Sequence, residues 1–349
     1  MVKKKILICP LDWGLGHGAR CVSIIHDLNS DFDLLLAGSG RVKPFLQQEF
    51  PTLPFIDFEG YNINYPSGGS MAIKMMAQLP KVIQRIRSEK KELAKIIENH
   101  GIDLVISDNR FGLSSDSIPS VYITHQINVQ APGLLANLLY KLHAKYINRY
   151  TECWIPDFAE SMNLSGALSH GRKPSICRYT GPISRLSKVR TAYKYDYCAL
   201  LSGPEPQRTK FENLILETFK GQSATLLLLQ GTPEEHKHMK IDNVEIVSHM
   251  NDQDLAKNLC ASKTVICRSG YSSIMDLSKL GVNCIFVPTP GQTEQYYLAK
   301  HHLFEHQVPY IDQHKLGSEL LFKTKGNPIK LDWKEPSFSA MITEILIKR

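Results

Sequence analysis

Three groups of residues in this chain are of types and spacings that do chemistry. The first is Arg268-Ser269-Gly270-Tyr271-Ser272-Ser273, with a carboxylate, Asp276, one helical turn further on. A glycine at a strand end, followed by a helix whose first N–H groups lack intrahelical acceptors, makes a place for phosphate. Ser272 and Ser273 add hydroxyls there, Arg268 adds a fixed charge, and Asp276 could accept from ribose hydroxyls. The plain alternative is an ordinary βαβ unit whose serines cap a helix. The second group is Gln292, Glu294 and Gln295, in a polar loop that opens another helix at the same sheet edge. Such a group can read sugar hydroxyls. The third is His17, set among Gly14, Gly16 and Gly18, together with Asp108 in Ser107-Asp108-Asn109-Arg110. Histidine can take a hydroxyl proton near neutral pH, and a carboxylate beside it can stabilise the imidazolium.

These residues need elements to position them. Ile6 to Cys9 reads as a buried strand, then a glycine loop, then a helix from Ala19 to Leu28. Strands follow at Asp33 to Ala37 and Phe55 to Phe58. Met71 to Ile83 is apolar with interspersed lysines and reads as a helix broken near Pro80; an acceptor or membrane surface is the rival reading. Lys81 to Asn99 is an amphipathic helix. Strands at Ile102 to Ser107 and Val121 to Thr124 deliver Asp108 and His125, and a helix from Leu134 to Tyr150 leads to a strand at Cys153 to Pro156. Gly181-Pro182 marks a crossing. A second alternating run then begins. A strand at Tyr197 to Ser202 ends at Gly203 and leads to a helix at Lys210 to Phe219. Strands at Ala224 to Gln230 and Val244 to Val247 follow, with His249-Met250 after the latter, and Asp252 to Leu259 is helical. Phe338 to Ile347 is a final helix. This alternation predicts an α/β protein with doubly wound, mostly parallel sheets in residues 1–183 and 184–335, plus a terminal helix in 336–349. The first loop has G-x-G-x-G spacing and no acidic residue after the second strand, so a dinucleotide fingerprint is rejected.

The pattern Arg268-Ser-Gly-Tyr-Ser-Ser-x-x-Asp276, then Gly281-Val282, Val287-Pro288 and Glu294-Gln295, resembles the donor half of GT-B glycosyltransferases. It is similar above all to the group containing the lipid II-forming N-acetylglucosaminyltransferase, and also to UDP-glycosyltransferases. The resemblance implies two Rossmann-like domains facing a cleft, with the acceptor on the first and the donor on the second. It places Ser269, Gly270, Tyr271, Ser272 and Ser273 at the diphosphate, with Arg268 beside them. Asp276 falls where the family has a ribose-binding glutamate, one methylene longer. Gln292, Glu294 and Gln295 fall at the donor sugar, and His249 and Met250 where relatives pack the nucleobase. Gly203 opens the loop under the phosphates, although its two prolines depart from the family's glycine-serine content. His17 and Asp108 match a base and its orienting carboxylate. Gly14, Gly16, Gly18 and His125 fall on the acceptor side. The terminal helix is expected to cross back onto the first domain. The implied activity is inverting transfer from a UDP-sugar, such as UDP-N-acetylglucosamine, with no cofactor and no metal. Asp31-Phe32-Asp33 and Asp252-Gln253-Asp254 read as a turn and a helix start instead of metal ligands. A UDP-sugar 2-epimerase of the same fold and a non-catalytic nucleotide-sugar-binding subunit are the alternatives.

Composition bounds the partners. The chain has 349 residues, a formal charge of +7 and a pI near 8.8, which favours nucleotide sugars, lipid phosphates or an anionic membrane surface. No C2H2 spacing, RNP1-like motif or long basic block supports nucleic acid. The eight cysteines are scattered without C-x-x-C pairs and read as reduced thiols. No apolar run suits a signal peptide or a transmembrane helix. The expectation is a cytoplasmic protein that touches the membrane peripherally. Lipid-linked sugar, polysaccharide and small molecule all fit as acceptor.

Overall fold

A computed structural model describes residues 3–12, 15–61, 71–130 and 133–348, with the side chains of residues 71–79 and 134 outside that description. The chain divides into two compact units. One holds residues up to Ile183 together with Lys334 onward, and the other holds Ser184–Trp333.

In the first unit the strands are β1 (Lys5–Pro10), β2 (Asp33–Gly38), β3 (Phe55–Asp57), β4 (Leu104–Asp108), β5 (Ser120–Ile123), β6 (Glu152–Ile155) and β7 (Cys177–Tyr179). They form one sheet in the order β3-β2-β1-β4-β5-β6-β7, and every pairing is parallel. The helices are α1 (Leu15–Leu28), α2 (Val42–Glu49), α3 (Met71–His100) and α4 (Gly133–Ile147). β1 and β4 are buried almost throughout, as expected of central parallel strands covered on both faces. Leu7, Leu35, Val105 and Leu93 pack into one apolar cluster of this unit. The chain order reverses between β1 and β4, which pair in register from Ile6↔Leu104 to Pro10↔Asp108. Open α/β sheets bind ligands outside the strand ends at such a point.

Two expectations fail here. α1 begins at Leu15, not at Ala19, so His17 stands in the first helical turn and not in a loop. α3 runs unbroken for 30 residues through Pro80. Proline forfeits one backbone hydrogen bond, and the remaining turns of a long helix carry that loss. The apolar surface expected at Met71 to Leu79 falls on side chains outside the described set.

The second unit repeats the plan with β8 (Tyr195–Leu200), β9 (Leu226–Leu229), β10 (His238–Ile241), β11 (Val244–Val247), β12 (Ser262–Cys267), β13 (Asn283–Phe286) and β14 (Asn327–Pro328). Its helices are α5 (Gln207–Phe219), α6 (Asp252–Cys260), α7 (Tyr271–Leu280), α8 (Thr293–His306) and α9 (Ser318–Lys323). The sheet order is β10-β11-β9-β8-β12-β13-β14, with the edge strands β10 and β14 antiparallel. Those two, and β7, were not read from the sequence, because each is short and lies at a sheet edge. The reversal here falls between β8 and β12, paired up to Leu200↔Cys267. Phe211, Ile215, Leu228, Ile266 and Ile285 are among the residues of its core.

The last helix, α10 (Phe338–Ile347), returns to the first unit. Its start is capped by Ser337, whose side chain accepts from the Ala340 N–H. Phe338 stacks 5.5 Å from Trp154, the Ser339 N–H donates to Asp27 at 2.8 Å, and Arg178 pairs with Glu344 at 2.9 Å. Both Asp-x-Asp runs have local partners: Asp31 accepts from Ser339 Oγ, and Asp252 pairs with Arg185 at the start of α6.

Candidate functional sites

At the switch point of the first unit, β4 delivers Asp108 and the first turn of α1 delivers His17. Parallel pairing of β1 with β4 brings both to one edge. His17 Nδ1 lies 2.7 Å from Asp108 Oδ1. Asp108 is fully buried, whereas His17 keeps about a fifth of its side chain exposed (18% against 0%). The sequence reading missed a third member, Arg20. It is one turn beyond His17 on α1, is buried, and donates from Nε to Asp108 Oδ2 at 2.7 Å and from Nη2 to Oδ1. Starting the helix at Ala19 hid this i, i+3 relation; had the helix been extended to Leu15, His17 and Arg20 would have shared a face. Burial raises the Asp108 pKa, but Arg20 and then His17 outweigh it and hold the carboxyl well below its ordinary range. The carboxylate therefore stays charged, and it fixes the imidazole with Nδ1–H donating, which leaves Nε2 as the basic atom.

The glycines around His17 separate in role. Gly18 is a packing residue and not a ligand-facing one: a Cβ there would meet Phe45 Cδ1 at 3.2 Å and Val42 Cγ1 at 3.4 Å, so it lets α1 close on α2. Gly16 is half-buried in the first turn of α1, and Gly14 lies outside the described residues. His125, half-buried, follows β5, the strand beside β4.

Behind this edge is a buried ion pair. Arg110 Nε and Nη2 lie 3.0 and 2.6 Å from Glu89 Oε1, and neither side chain has any exposure. Tyr61 Oη and the Gly112 N–H donate to Glu89 Oε2 at 3.2 and 3.1 Å. The Arg110 guanidinium also sits 4.6 Å from the Phe58 ring centre. Burial pushes the Glu89 carboxyl up, opposed by Arg110. The pair ties α3 to the chain leaving β4 and so supports the segment that carries Asp108.

At the switch point of the second unit, β8 ends before Gly203 (φ +101°) and β12 ends before Arg268. α7 follows with Gly270 as N-cap. Gly270 has no side chain with which to cap this end, and the first intrahelical bond runs from the Ile274 N–H to the Gly270 carbonyl. Tyr271 is buried, whereas Ser272 and Ser273 in the first turn are half-buried. Gly270 makes no left-handed turn between β12 and α7. Its backbone is extended (φ −77°, ψ 141°), and an added Cβ would meet nothing within 4 Å. The glycine thus leaves open space above the helix N-terminus, where an anion is favoured.

The expected phosphate contact from Arg268 is also corrected. Arg268 is 1% exposed, and both of its Nη atoms donate inside the protein, whereas its buried Nε has no hydrogen-bond partner among the described residues. Nη1 donates to the Val287 carbonyl at 2.9 Å, Nη2 donates to Gln313 Oε1 at 2.7 Å, and the guanidinium lies 4.0 Å from the Phe211 ring centre. Burial lowers its pKa to about 10. It acts as a buried clamp on the loop after β13, and any effect on a bound anion is through its field. Ser269 is fully buried, and its Oγ donates to the Gln295 carbonyl at 2.8 Å. Gln295 Oε1 accepts from the Thr289 N–H at 2.8 Å, and its amide NH2 is a further pair of donors. Gln292 is the N-cap of α8, and Glu294 lies in its first turn. His249 and Met250 are half-buried after β11; burial first, then Arg185, pulls the His249 pKa down.

Asp276 accepts from Ser184 Oγ at 2.5 Å, a contact not read from the sequence. Burial raises its pKa from 3.8 to about 6 despite Arg185 and Ser184. The folded state therefore binds the extra proton between those values, and stability falls as pH rises through that window. At neutral pH the full cost is present. Asp276→Asn keeps an acceptor for Ser184 and removes that cost. It is expected to stabilise the protein by about 1–3 kcal/mol at pH 7, with no gain near pH 4. Chemical denaturation at the two pH values checks this; an equal effect at both would show that the carboxylate is not strained.

Comparison with known proteins shows what the second unit and the fold are similar to. Residues 208–324 match the glycosyltransferase family 28 C-terminal domain. The UDP-N-acetylglucosamine–N-acetylmuramyl-(pentapeptide) pyrophosphoryl-undecaprenol N-acetylglucosamine transferase of Histophilus somni (strain 129Pt) is 31% identical over 87 residues, 25% of this chain and 24% of that enzyme. The chain thus matches about a quarter of the length of that curated relative. The calicheamicin glycosyltransferase CalG4 superposes with a TM-score of 0.65 at 11% identity, covering 100% of this chain and 99% of that one. Arabidopsis thaliana UGT89C1, solved with UDP-L-rhamnose, gives a TM-score of 0.60 at 12% identity, covering 100% and 93%. The chain has the GT-B glycosyltransferase fold, carries a family 28 C-terminal domain in its second unit, and resembles the group of lipid II-forming and UDP-dependent glycosyltransferases.

Proposed function

We propose that the protein transfers a sugar from a UDP-sugar, such as UDP-N-acetylglucosamine, to an acceptor hydroxyl, with inversion and without a metal. The observation that carries this reading is the glycine-capped N-terminus of α7, with Ser272 and Ser273 in its first turn, at the β8/β12 switch point inside the family 28 match. Its N–H groups and the Ser272 and Ser273 hydroxyls receive the diphosphate, and the helix dipole stabilises the charge that grows on the leaving UDP. Asp276 faces the ribose, His249 and Met250 the base, and Gln292, Glu294 and Gln295 the sugar. The acceptor oxygen attacks the anomeric carbon as the bond to the β-phosphate oxygen breaks. His17 Nε2 takes the acceptor proton, and Asp108, kept ionised by Arg20, stabilises the imidazolium.

For the acceptor, α4 carries Leu135, Leu138 and Leu142 at i, i+3 and i+7, with Leu138 63% exposed and Lys141 and Lys145 beside them. An apolar stripe with basic flanks suits an acceptor held in an anionic lipid surface. Among the described residues no helix is long and apolar enough to cross a membrane.

The test is a thermal-shift screen of UDP- and GDP-sugars, followed by mass spectrometry of lipid extracts and soluble fractions incubated with the best donor. Stabilisation by a UDP-sugar and a lipid product that gains one sugar is expected. A free, isomerised sugar with no acceptor product would mark an epimerase. Donor binding without any turnover would mark a binding subunit.

A further inference from the structure

Cys153 and Cys177 are direct partners on neighbouring parallel strands, β6 and β7, and β7 is the edge strand of its sheet. In-register residues on adjacent strands stand about 4.7–4.9 Å apart, within the Cα separation of about 4.4–6.8 Å that a disulfide spans. Both are free thiols of one apolar cluster, Cys153 buried within it and Cys177 packed against it. They differ in access. Cys153 is fully buried, while Cys177 is half-buried at the start of the edge strand.

Their electrostatics differ as well. The neighbouring Cys153 thiol, and then the Lys173 charge, hold Cys177 below the ordinary thiol value against its partial burial. Burial pushes Cys153 well above it. A half-buried thiol paired in register with a buried one on the next strand is the arrangement of an attacking and a resolving cysteine. Nothing in sugar transfer uses this pair, and it lies on strands other than those that carry His17 and Asp108.

We propose that Cys177 and Cys153 form a peroxide-reactive dithiol that closes to a reversible disulfide between β6 and β7. The Cys177 thiolate attacks the outer oxygen of a hydroperoxide. The O–O bond breaks, the departing alkoxide or hydroxide takes a proton, and Cys177 becomes a sulfenic acid. The Cys153 sulfur then displaces the sulfenic oxygen, which leaves as water with the Cys153 proton. Two thiols and one hydroperoxide thus give one disulfide, one water and one alcohol or a second water. A thiol reductant reverses the change.

The full-length protein treated with an equivalent of hydrogen peroxide, then mapped by non-reducing peptide mass spectrometry, tests this. The expected result is a Cys153–Cys177 crosslinked peptide, the loss of two of the eight thiols, and their return with dithiothreitol. In Cys153→Ser the sulfenic acid at Cys177 should persist and be trapped by dimedone. In Cys177→Ser, Cys153 should stay reduced. Faster oxidation of Cys260, the other half-buried cysteine, would overturn the proposal. So would progression of Cys177 to sulfinic acid in the parent protein with no crosslink.

Discussion

His17→Ala is expected to lower the rate of sugar transfer by about 10²–10⁴-fold, the usual loss when a general base is removed. Thermal stabilisation by UDP should not change, because every residue assigned to the donor belongs to the second unit and His17 belongs to the first. Initial rates with a saturating UDP-sugar, set beside the UDP-induced shift in melting temperature, separate the two effects. Asp108→Asn should also lose rate, but for a second reason. Buried Arg20 loses the negative charge that accepts from its Nε and Nη2. Some loss of stability should therefore accompany Asp108→Asn and not His17→Ala. Transfer by His17→Ala within a few-fold of the parent would move the base elsewhere, with Asp12 and His125 next to be tested.

Glu89→Ala is expected to give the largest loss of stability, about 3–5 kcal/mol, the range for stranding one member of a buried ion pair. Arg110 would keep its contacts with backbone carbonyls and the Phe58 ring but lose both bonds to Glu89. The Tyr61 hydroxyl and the Gly112 N–H would also lose their acceptor. Glu89→Gln keeps an acceptor and a shape close to the original, so it should lose less. Urea denaturation of the two variants checks the order. A fall of under 1 kcal/mol in Glu89→Ala would mean that water replaces the carboxylate.

The alternating plan of both units was legible because central parallel strands are short apolar runs, and Ile6 to Cys9 or Val265 to Cys267 admit few other readings. Of the four edge strands only β3 was, since β7, β10 and β14 carry no apolar run of their own. At the first site the residue types pointed to His17 and Asp108, but glycines at 14, 16 and 18 suggested a loop. Propensity gave way to packing: Gly18 is small because Phe45 and Val42 press on it, and the helix continues beneath it. At the second site Arg268 was read by charge alone. Its neighbours Val287, Gln313 and Phe211 are distant in sequence, and only the fold shows that the first two take up its Nη donors and the third lies against its guanidinium. Ser184, the partner of Asp276, is likewise 92 residues away.

The return of α10 to the first unit makes the second unit an insertion within it. During synthesis β1 to β7 emerge before β8 to β14, yet the surface of α1 that includes Asp27 and the face of Trp154 wait for a helix made after the whole of the second unit. Ser184–Trp333 carries all the strands and helices of its own sheet and can close while the earlier part is still missing a helix. The unit that begins first on the ribosome is completed last.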